Sequence, residues 1–229
     1  MRVHRLHGWR MTPREALALQ SELRERLAQK PLAKAVRLVA GADAAYDKRT
    51  RRAAGAVCVL SLPGLAVVEE RTAVAEVSFP YVPGLLTFRE GPVLLDCFAR
   101  LEIVPDAVLF DGQGILHPRR MGIAAHLGLF LDLPTAGCAK SRLCGIGEEP
   151  EARRDARSPV RDPAGEILGA CLRTRSNVKP VFVSPGHKLD LDSAVALVLA
   201  CRLNYRIPEP LRRAHRLAES ALKGRPEPR

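Results

Sequence analysis

Three acidic side chains lie in parts of the chain where apolar or neutral residues are usual. Asp43 interrupts the apolar run "VRLVAGADAAY", Asp111 follows the all-apolar run "AVLF", and Glu90 opens a helical pattern after a proline-rich turn. An acid in an apolar strand is normally excluded unless it is paired or binds a cation. Two or three converging carboxylates supply the hard oxygen ligands that Mg²⁺ or Mn²⁺ requires. This pattern indicates a metal site.

A divalent cation at such a site would support hydrolysis of a phosphodiester, because it lowers the pKa of an attacking water and stabilises the leaving oxygen. His215, in the closing helical pattern "RRAHRLAES", could orient or deprotonate that water. Lys140, in "GCAKSRL", could place a positive charge on phosphate. The five side chains together form a candidate catalytic constellation.

Each of these residues also has a simpler explanation. Asp43 could bond to nearby backbone, Asp111 could cap the next turn, and Glu90 could favour the helix dipole. A lone helical histidine is more often structural, and a lysine at a sheet edge often lies along the surface. For each acid taken alone, the structural and the metal-binding explanations are equally good. Only the convergence of the acids at one place favours a metal site.

The apolar periodicity predicts the elements that would bring these residues together. A Thr cap followed by Pro begins one amphipathic helix, over residues 12–30. Three strands follow, near 36–46, 54–62 and 66–77, with short joints typical of an antiparallel meander. Helices and strands then alternate, and the chain closes with further short strand candidates followed by two helices. If the strands that carry the two aspartates are neighbours, both acids converge at one sheet edge.

These elements predict a mixed α/β sheet flanked by helices in a single domain over residues 1–229. No linker or repeat divides the chain. The polar, Pro-rich stretch 147–165 is predicted to be a surface loop.

Composition indicates the kind of partner and compartment. The formal charge of +11 favours a polyanion, with nucleic acid first, although an Arg-rich surface selected only for solubility would give the same number. The six cysteines are far apart and form no CxxC pair, which favours free buried thiols in a reducing cytoplasm. With no apolar signal region and no membrane-length apolar stretch, we expect a soluble cytoplasmic protein without a membrane partner.

A second feature is the stretch "FPYVPGLL", in which Tyr81 stands between Pro80 and Pro83. Each proline fixes φ and lacks an amide donor, so the segment cannot be a central strand or a helix interior. We therefore expect a rigid turn with an aromatic tip. Glycines allow close backbone approach to a ligand, and several fall at strand or turn ends near the acids.

Six ordered blocks of the chain resemble the endonuclease V family, whose members nick nucleic acid near deaminated adenine. The resemblance implies an RNase H-like fold and Mg²⁺-dependent hydrolysis, with Mn²⁺ as a substitute and no organic cofactor. It implies cleavage of the second phosphodiester bond 3′ to deoxyinosine, leaving 3′-hydroxyl and 5′-phosphate ends. The blocks are "GADAAYD", "FPYVPGLLTFREGP", "FDGQGILHPRRMGIAAHLGLF", "GCAKSRLCG", "FVSPGHKLDLDSA" and "RIPEPLRRAHRLAES".

The resemblance also assigns roles to residues. Asp43, Glu90 and Asp111 match the metal-binding acids, while His215 and Lys140 match the residues that assist them. The rigid turn, with Val82 where many relatives have isoleucine, resembles a strand-separating wedge. The candidates for the pocket that receives the extruded base are Gly84, Leu86, Gly112, His117, Gly137 and Leu143. The wedge residues are Pro80, Tyr81, Val82 and Pro83.

The resemblance implies DNA containing deoxyinosine as the partner. We expect the enzyme to be a monomer. Two alternatives stay open: an endoribonuclease of the same fold that is specific for inosine in RNA, and a lesion-binding protein without catalysis. The presence of all five candidate catalytic residues argues against the second.

Overall fold

The computed structural model describes residues 1–224, and the last five residues of the expected domain lie outside this range. Within the described part, five helices flank one eight-stranded sheet. No helix among these residues has the length and apolar character needed to cross a membrane. In chain order the elements are α1 Pro13–Arg24, β1 Leu38–Asp47, β2 Arg52–Ser61, β3 Val67–Glu76, α2 Leu86–Ala99, β4 Ala107–Phe110, α3 Ile123–Leu131, β5 Thr135–Ala139, β6 Arg157–Arg161, β7 Ile167–Leu172, β8 Val181–Pro185, α4 Leu191–Ala200 and α5 Glu209–Leu222.

The sheet confirms the expected mixed fold of a meander followed by alternating elements. Its strand order is β3-β2-β1-β4-β5-β8-β7-β6. β1, β2 and β3 pair antiparallel, whereas β4 joins β1 and β5 in parallel. The parallel pairs place the carboxyl ends of β1, β4 and β5 at one edge, where ligand-binding groups collect in α/β sheets.

Apolar layers cover both faces of the sheet. On one face the even-numbered residues of β1, such as Ala40 and Ala42, pack with α2 and α3. On the other face Val39 packs with α4 and with Leu211 of α5. Alternate residues of a strand point to opposite faces, so the helices on both sides leave β2 buried along almost all its length.

The register of β1 and β4 places the two predicted aspartates side by side. Ala42 is paired with Phe110, and each acid is the next residue along its strand. The Asp111 amide donates to the Ala42 carbonyl at 3.1 Å. The expected adjacency of these two strands is therefore confirmed.

Gly41 determines how closely α5 approaches β1. A Cβ atom built at Gly41 would lie 2.2 Å from the backbone carbonyl carbon of Pro210, a distance that no side chain tolerates. The first turn of α5 therefore rests directly on the strand that carries Asp43, and the helix runs on to His215.

Two helix boundaries differ from the sequence expectation. α1 ends at Arg24 rather than near residue 30, because the Ala28 amide donates to the ring of His187 and the Ala28 carbonyl accepts from the Lys188 amide. Those bonds give His187 a structural role that the sequence did not suggest. α2 begins at Leu86, so Glu90 is the fifth residue of the helix and does not open it.

The expected loop 147–165 was wrong in part, because it contains the strand β6. This strand is the last in the sheet and pairs antiparallel with β7, with a further bridge between Ile146 and Arg161. Val160 is fully buried and packs against Leu116. A proline within the strand is tolerated because the outer edge of β6 needs no ladder hydrogen bonds.

The N-terminal residues pack onto α2 and α3 through an aromatic cluster. Trp9 stacks on Phe130 at 5.3 Å between ring centroids, and the Nε2 atoms of His7 and His126 are 2.8 Å apart. Burial, followed by the charge of His7, lowers the pKa of His126 to about 3. Burial also lowers the pKa of His7. The cluster is therefore stable only while these rings are neutral.

Acid should release this N-terminal segment. The pKa of His126 is about 3 in the folded protein, whereas an unperturbed histidine has a pKa of 6.5, so opening takes up protons and becomes easier as the pH falls below about 6.5. Trp9 is the only tryptophan, and its fluorescence should shift to the red over this range. The His126→Leu variant should shift much less, whereas His4→Gln should behave as the wild-type protein does. A wild-type emission maximum that is constant from about pH 7 to about pH 4 would contradict this assignment.

Candidate active site

The three predicted acids lie together where the pairing of β1 with β4 ends. Asp43 is only 8% exposed, and Glu90 reaches the same edge from α2. Burial of its carboxyl, then the charges of Asp43 and Asp111, raise the pKa of Glu90 to about 8. Burial and Asp43 likewise raise the pKa of Asp111, against the opposing effect of Lys140. The acids thus repel one another, and without a cation Glu90 holds its proton at neutral pH.

Two basic side chains partly compensate the acids. Lys140 follows β5 directly, and its Nζ lies 2.5 Å from Asp111 Oδ2. His215 lies on α5, with Nδ1 2.7 Å from Asp43 Oδ2. The hydrogen bond to Asp43, against the effect of burial, raises the pKa of His215. All five predicted residues therefore meet at one site.

A network of ion pairs holds the first turn of α5. Glu209 is buried at the start of the helix, and its carboxylate accepts hydrogen bonds from Arg212 and Arg213 at 2.6 to 3.0 Å. The network and the contact at Gly41 together fix the position of α5 against β1, and with it the position from which His215 faces Asp43.

The donor set fits a hard divalent cation by its chemistry. All three acids offer carboxylate oxygen, and their mutual repulsion is what a cation would relieve. Among residues 1–224, no three His, Cys, Asp or Glu side chains are already arranged to hold a metal ion. Asp111 is engaged by Lys140 and Asp43 by His215. The residues therefore have the chemistry and charge that a divalent cation requires, but their side chains are not already arranged as its ligands.

The predicted rigid turn lies beside this cluster. Tyr81 is 72% exposed at its tip, whereas the neighbouring Val82 packs against buried Phe79, Leu85 and Phe88. Gly84 has a φ of +80°, a left-handed conformation that strongly favours glycine. The turn therefore presents one aromatic ring on an apolar base.

One carbonyl oxygen, that of Gly84, holds the turn in place. It accepts from His117 Nε2 at 2.9 Å, Gln20 Nε2 at 3.0 Å and Arg119 Nη2 at 3.1 Å. Burial lowers the pKa of His117 to about 4, so the ring is neutral. Its Nδ1 accepts from the Arg119 amide at 3.2 Å, which leaves the proton on Nε2 for Gly84. His117 thus clamps the turn.

The sequence interpretation missed Gln20 and Arg119. Gln20 is fully buried on α1, and its Oε1 accepts from Arg119 Nε at 2.6 Å. A signal was present, because Gln20 shares the spacing of Ala16 and Leu23 on the buried face of the helix. A polar residue on such a face must find partners, which here are the turn and the Met121 carbonyl.

A cavity of about 350 Å³ separates the turn from Asp111. Five of the six predicted pocket residues line it, namely Gly84, Leu86, Gly112, His117 and Leu143. Gly137 lies beneath the wall instead, since a Cβ there would meet the Gly114 amide at 2.4 Å. Gly137 therefore supports the loop 112–114 and does not face the cavity.

Unlike carboxylates that are paired with cations, Glu90 should destabilise the fold at high pH. Its pKa of about 8 lies above the ordinary glutamate value of 4.5, so the folded state holds a proton that the unfolded state releases across this window. Without metal, Glu90→Gln should raise the melting temperature, and the gain should grow from about pH 5 to about pH 8.5. Thermal unfolding in EDTA measures this. Glu22→Gln, at an exposed site on α1, is the control, and an equal, constant gain in both variants would refute the prediction.

Comparison with known proteins shows which family this chain resembles over almost its whole length. A family model described as endonuclease V matches residues 21–216. An endonuclease V of Gloeobacter violaceus is 47% identical over 224 residues, covering 96% of this chain and 90% of that protein. The crystal structure of endonuclease V from Streptomyces avermitilis superposes with a TM-score of 0.90 at 46% identity, covering 98% and 99% of the two chains. A Ciona intestinalis endonuclease V, solved with DNA containing an inosine followed by a ribo-adenosine, superposes at 0.81 and 30% identity, covering 93% and 99%.

Proposed function

This chain belongs to the endonuclease V family, and we propose that it is a nuclease that acts at deoxyinosine in DNA, with the five-residue cluster as its catalytic centre. The observation that carries this proposal is the meeting of three acids, Lys140 and His215 at one sheet edge, beside a cavity that an exposed tyrosine also lines. We propose cleavage of the second phosphodiester bond 3′ to the lesion, with 3′-hydroxyl and 5′-phosphate products.

Asp43, Glu90 and Asp111 are the residues that would hold Mg²⁺, for which Mn²⁺ would substitute. A bound cation of this kind supplies the Lewis acidity that activates water and stabilises a leaving oxygen. Lys140, which contacts Asp111, would also contact a phosphate oxygen. His215 holds Asp43 through Nδ1, which leaves Nε2, 3.7 Å from Glu219, as the ring atom that can exchange a proton with water.

Tyr81 would act as the wedge. Extruding a base costs a few kcal/mol, and stacking a base on an aromatic ring returns about 1–3 kcal/mol. The ring is exposed while its backbone is fixed at Gly84, so insertion requires little additional ordering. The cavity beside it falls within the size range of small-molecule pockets and would receive the hypoxanthine base. The backbone groups that line the cavity would accept hypoxanthine and would exclude bases that carry exocyclic amino groups.

RNA is a second candidate substrate, because the DNA bound by the Ciona relative carries a ribose directly after the inosine. Contacts to a 2′-hydroxyl would favour it. We further propose a monomer in a reducing cytoplasm. All six cysteines are free, and five are buried, which suits such a compartment.

Cleavage of matched substrates tests the catalytic proposal. End-labelled DNA and RNA duplexes with one central inosine should show a Mg²⁺-dependent nick in DNA, one nucleotide beyond the lesion on its 3′ side, and none in EDTA. Asp43→Ala and Asp111→Ala should each reduce the rate by at least about a thousandfold without unfolding the protein. Asp96→Ala, which removes an exposed acid from the helix of Glu90, should cut normally. Retained Mg²⁺-dependent nicking in either site variant would remove the metal assignment, and cleavage of RNA alone would move the proposed substrate to RNA.

Removal of the wedge ring should affect recognition of the lesion specifically. Tyr81→Ala should weaken binding to inosine duplex by about tenfold, because the lost stacking is worth about 1–3 kcal/mol, and should leave binding to undamaged duplex nearly unchanged. Fluorescence anisotropy in EDTA measures both affinities at one salt concentration. Equal losses on the two duplexes would show that Tyr81 is not a wedge.

A further inference from the structure

The guanidinium of Arg89 links the wedge to the strand that carries Asp43. Its central carbon lies 4.1 Å from the centre of the Tyr46 ring and 5.9 Å from the centre of the Tyr81 ring. Both distances are within the range of cation–π contacts. Arg89 Nη1 also donates to the Phe79 carbonyl at 3.1 Å, at the base of the wedge. One side chain therefore contacts the base and the tip of the turn.

Tyr46 and Arg89 each lie close along the chain to one of the candidate catalytic acids. Tyr46 lies on β1 three residues after Asp43, and Arg89 directly precedes Glu90 on α2. The two elements that carry these acids are thus joined to the turn through the same guanidinium. Tyr46 is 36% exposed, so its ring lies at the rim of the fold rather than in the core.

We propose that Tyr46 and Arg89 form a brace that positions the wedge relative to the catalytic acids. This inference rests on the proposed function and makes Tyr46 a positioning residue, because it acts through Arg89. The ring of Tyr46 covers one side of the guanidinium and limits the rotamers open to Arg89. Arg89 in turn holds Phe79 and faces Tyr81.

The brace has a consequence for where the strand is cut. The wedge fixes the position of the extruded base, and the acids fix the position of the reacting phosphate. The distance between these two points selects the bond that is hydrolysed. A wedge that moves relative to β1 and α2 would allow neighbouring bonds to reach the acids.

The test uses the full chain and an inosine duplex with 2-aminopurine beside the lesion. For Tyr46→Ala, the preference for inosine over undamaged duplex should fall about fivefold, the 2-aminopurine signal on binding should drop, and cuts should spread to adjacent bonds. Tyr46→Phe keeps the ring face and should stay within about twofold of the wild type. Arg89→Met also removes the hydrogen bond to Phe79 and the contact with Tyr81, so it should lose at least as much lesion preference as Tyr46→Ala. Adding Tyr46→Ala to Arg89→Met should cause little further loss, because Tyr46 acts through Arg89.

Tyr205 offers a matched control. It is also exposed and lies in the α4–α5 connection, and its ring also faces a guanidinium, that of Arg212 at 4.3 Å. This guanidinium donates to Glu209 of α5 and not to the wedge. Tyr205→Ala should keep lesion preference and cut position. The brace is overturned if Tyr46→Ala keeps both properties, if Tyr46→Phe loses them, or if Tyr205→Ala loses them equally. Wild-type cleavage in the same assay tests the proposed function separately.

Discussion

The parallel pairing of β1 with β4 is the constraint on which the site depends. It places Asp43 and Asp111 at equivalent positions of neighbouring strands, where neither can move far from the other. Burial first, and then the nearby charges of Asp43 and Asp111, raise the pKa of Glu90. Lys140 and His215 each compensate one aspartate, but no basic partner contacts Glu90 within hydrogen-bonding distance in the described part of the chain. The fold therefore holds three acids close together at an energetic cost, which Glu90 reduces by keeping its proton and which the apolar layers offset.

Small residues in β1 and β2 allow the helices to reach this edge. At Gly41 the backbone of α5 touches the strand, and at Gly55 a Cβ would meet the Val93 carbonyl at 3.1 Å. Because the strands carry so little bulk at these points, α5 and α2 lie close enough to bring His215 and Glu90 to the carboxyl ends of the strands. The Ala- and Gly-rich character of these strands is thus a condition of the chemistry as well as of the packing.

The order of elements and the meeting of Asp43 with Asp111 were predictable, because periodicity identifies strands and parallel neighbours share an edge. Helix ends were not, because tertiary contacts decide them: the backbone of Ala28 bonds to His187 and Lys188, and the chain leaves α1 early. The strand β6 escaped prediction because a polar, proline-containing edge strand has the composition of a loop. Gly137 was assigned to the pocket through the family resemblance, although only the three-dimensional packing distinguishes a residue of the cavity wall from one in the layer behind it.

The clamp on Gly84 shows how parts of the chain without reactive groups contribute to recognition. Its three donors come from α1 and from the loop after β4, and all converge on one carbonyl oxygen. Each donor is ordered when the protein folds, so the turn is already fixed when a nucleic acid arrives. A neutral His117 is necessary, because its Nδ1 must accept from Arg119 while Nε2 donates to the turn. The helix α1 carries none of the five catalytic candidates, yet through Gln20 it fixes the angle at which Tyr81 would meet the duplex.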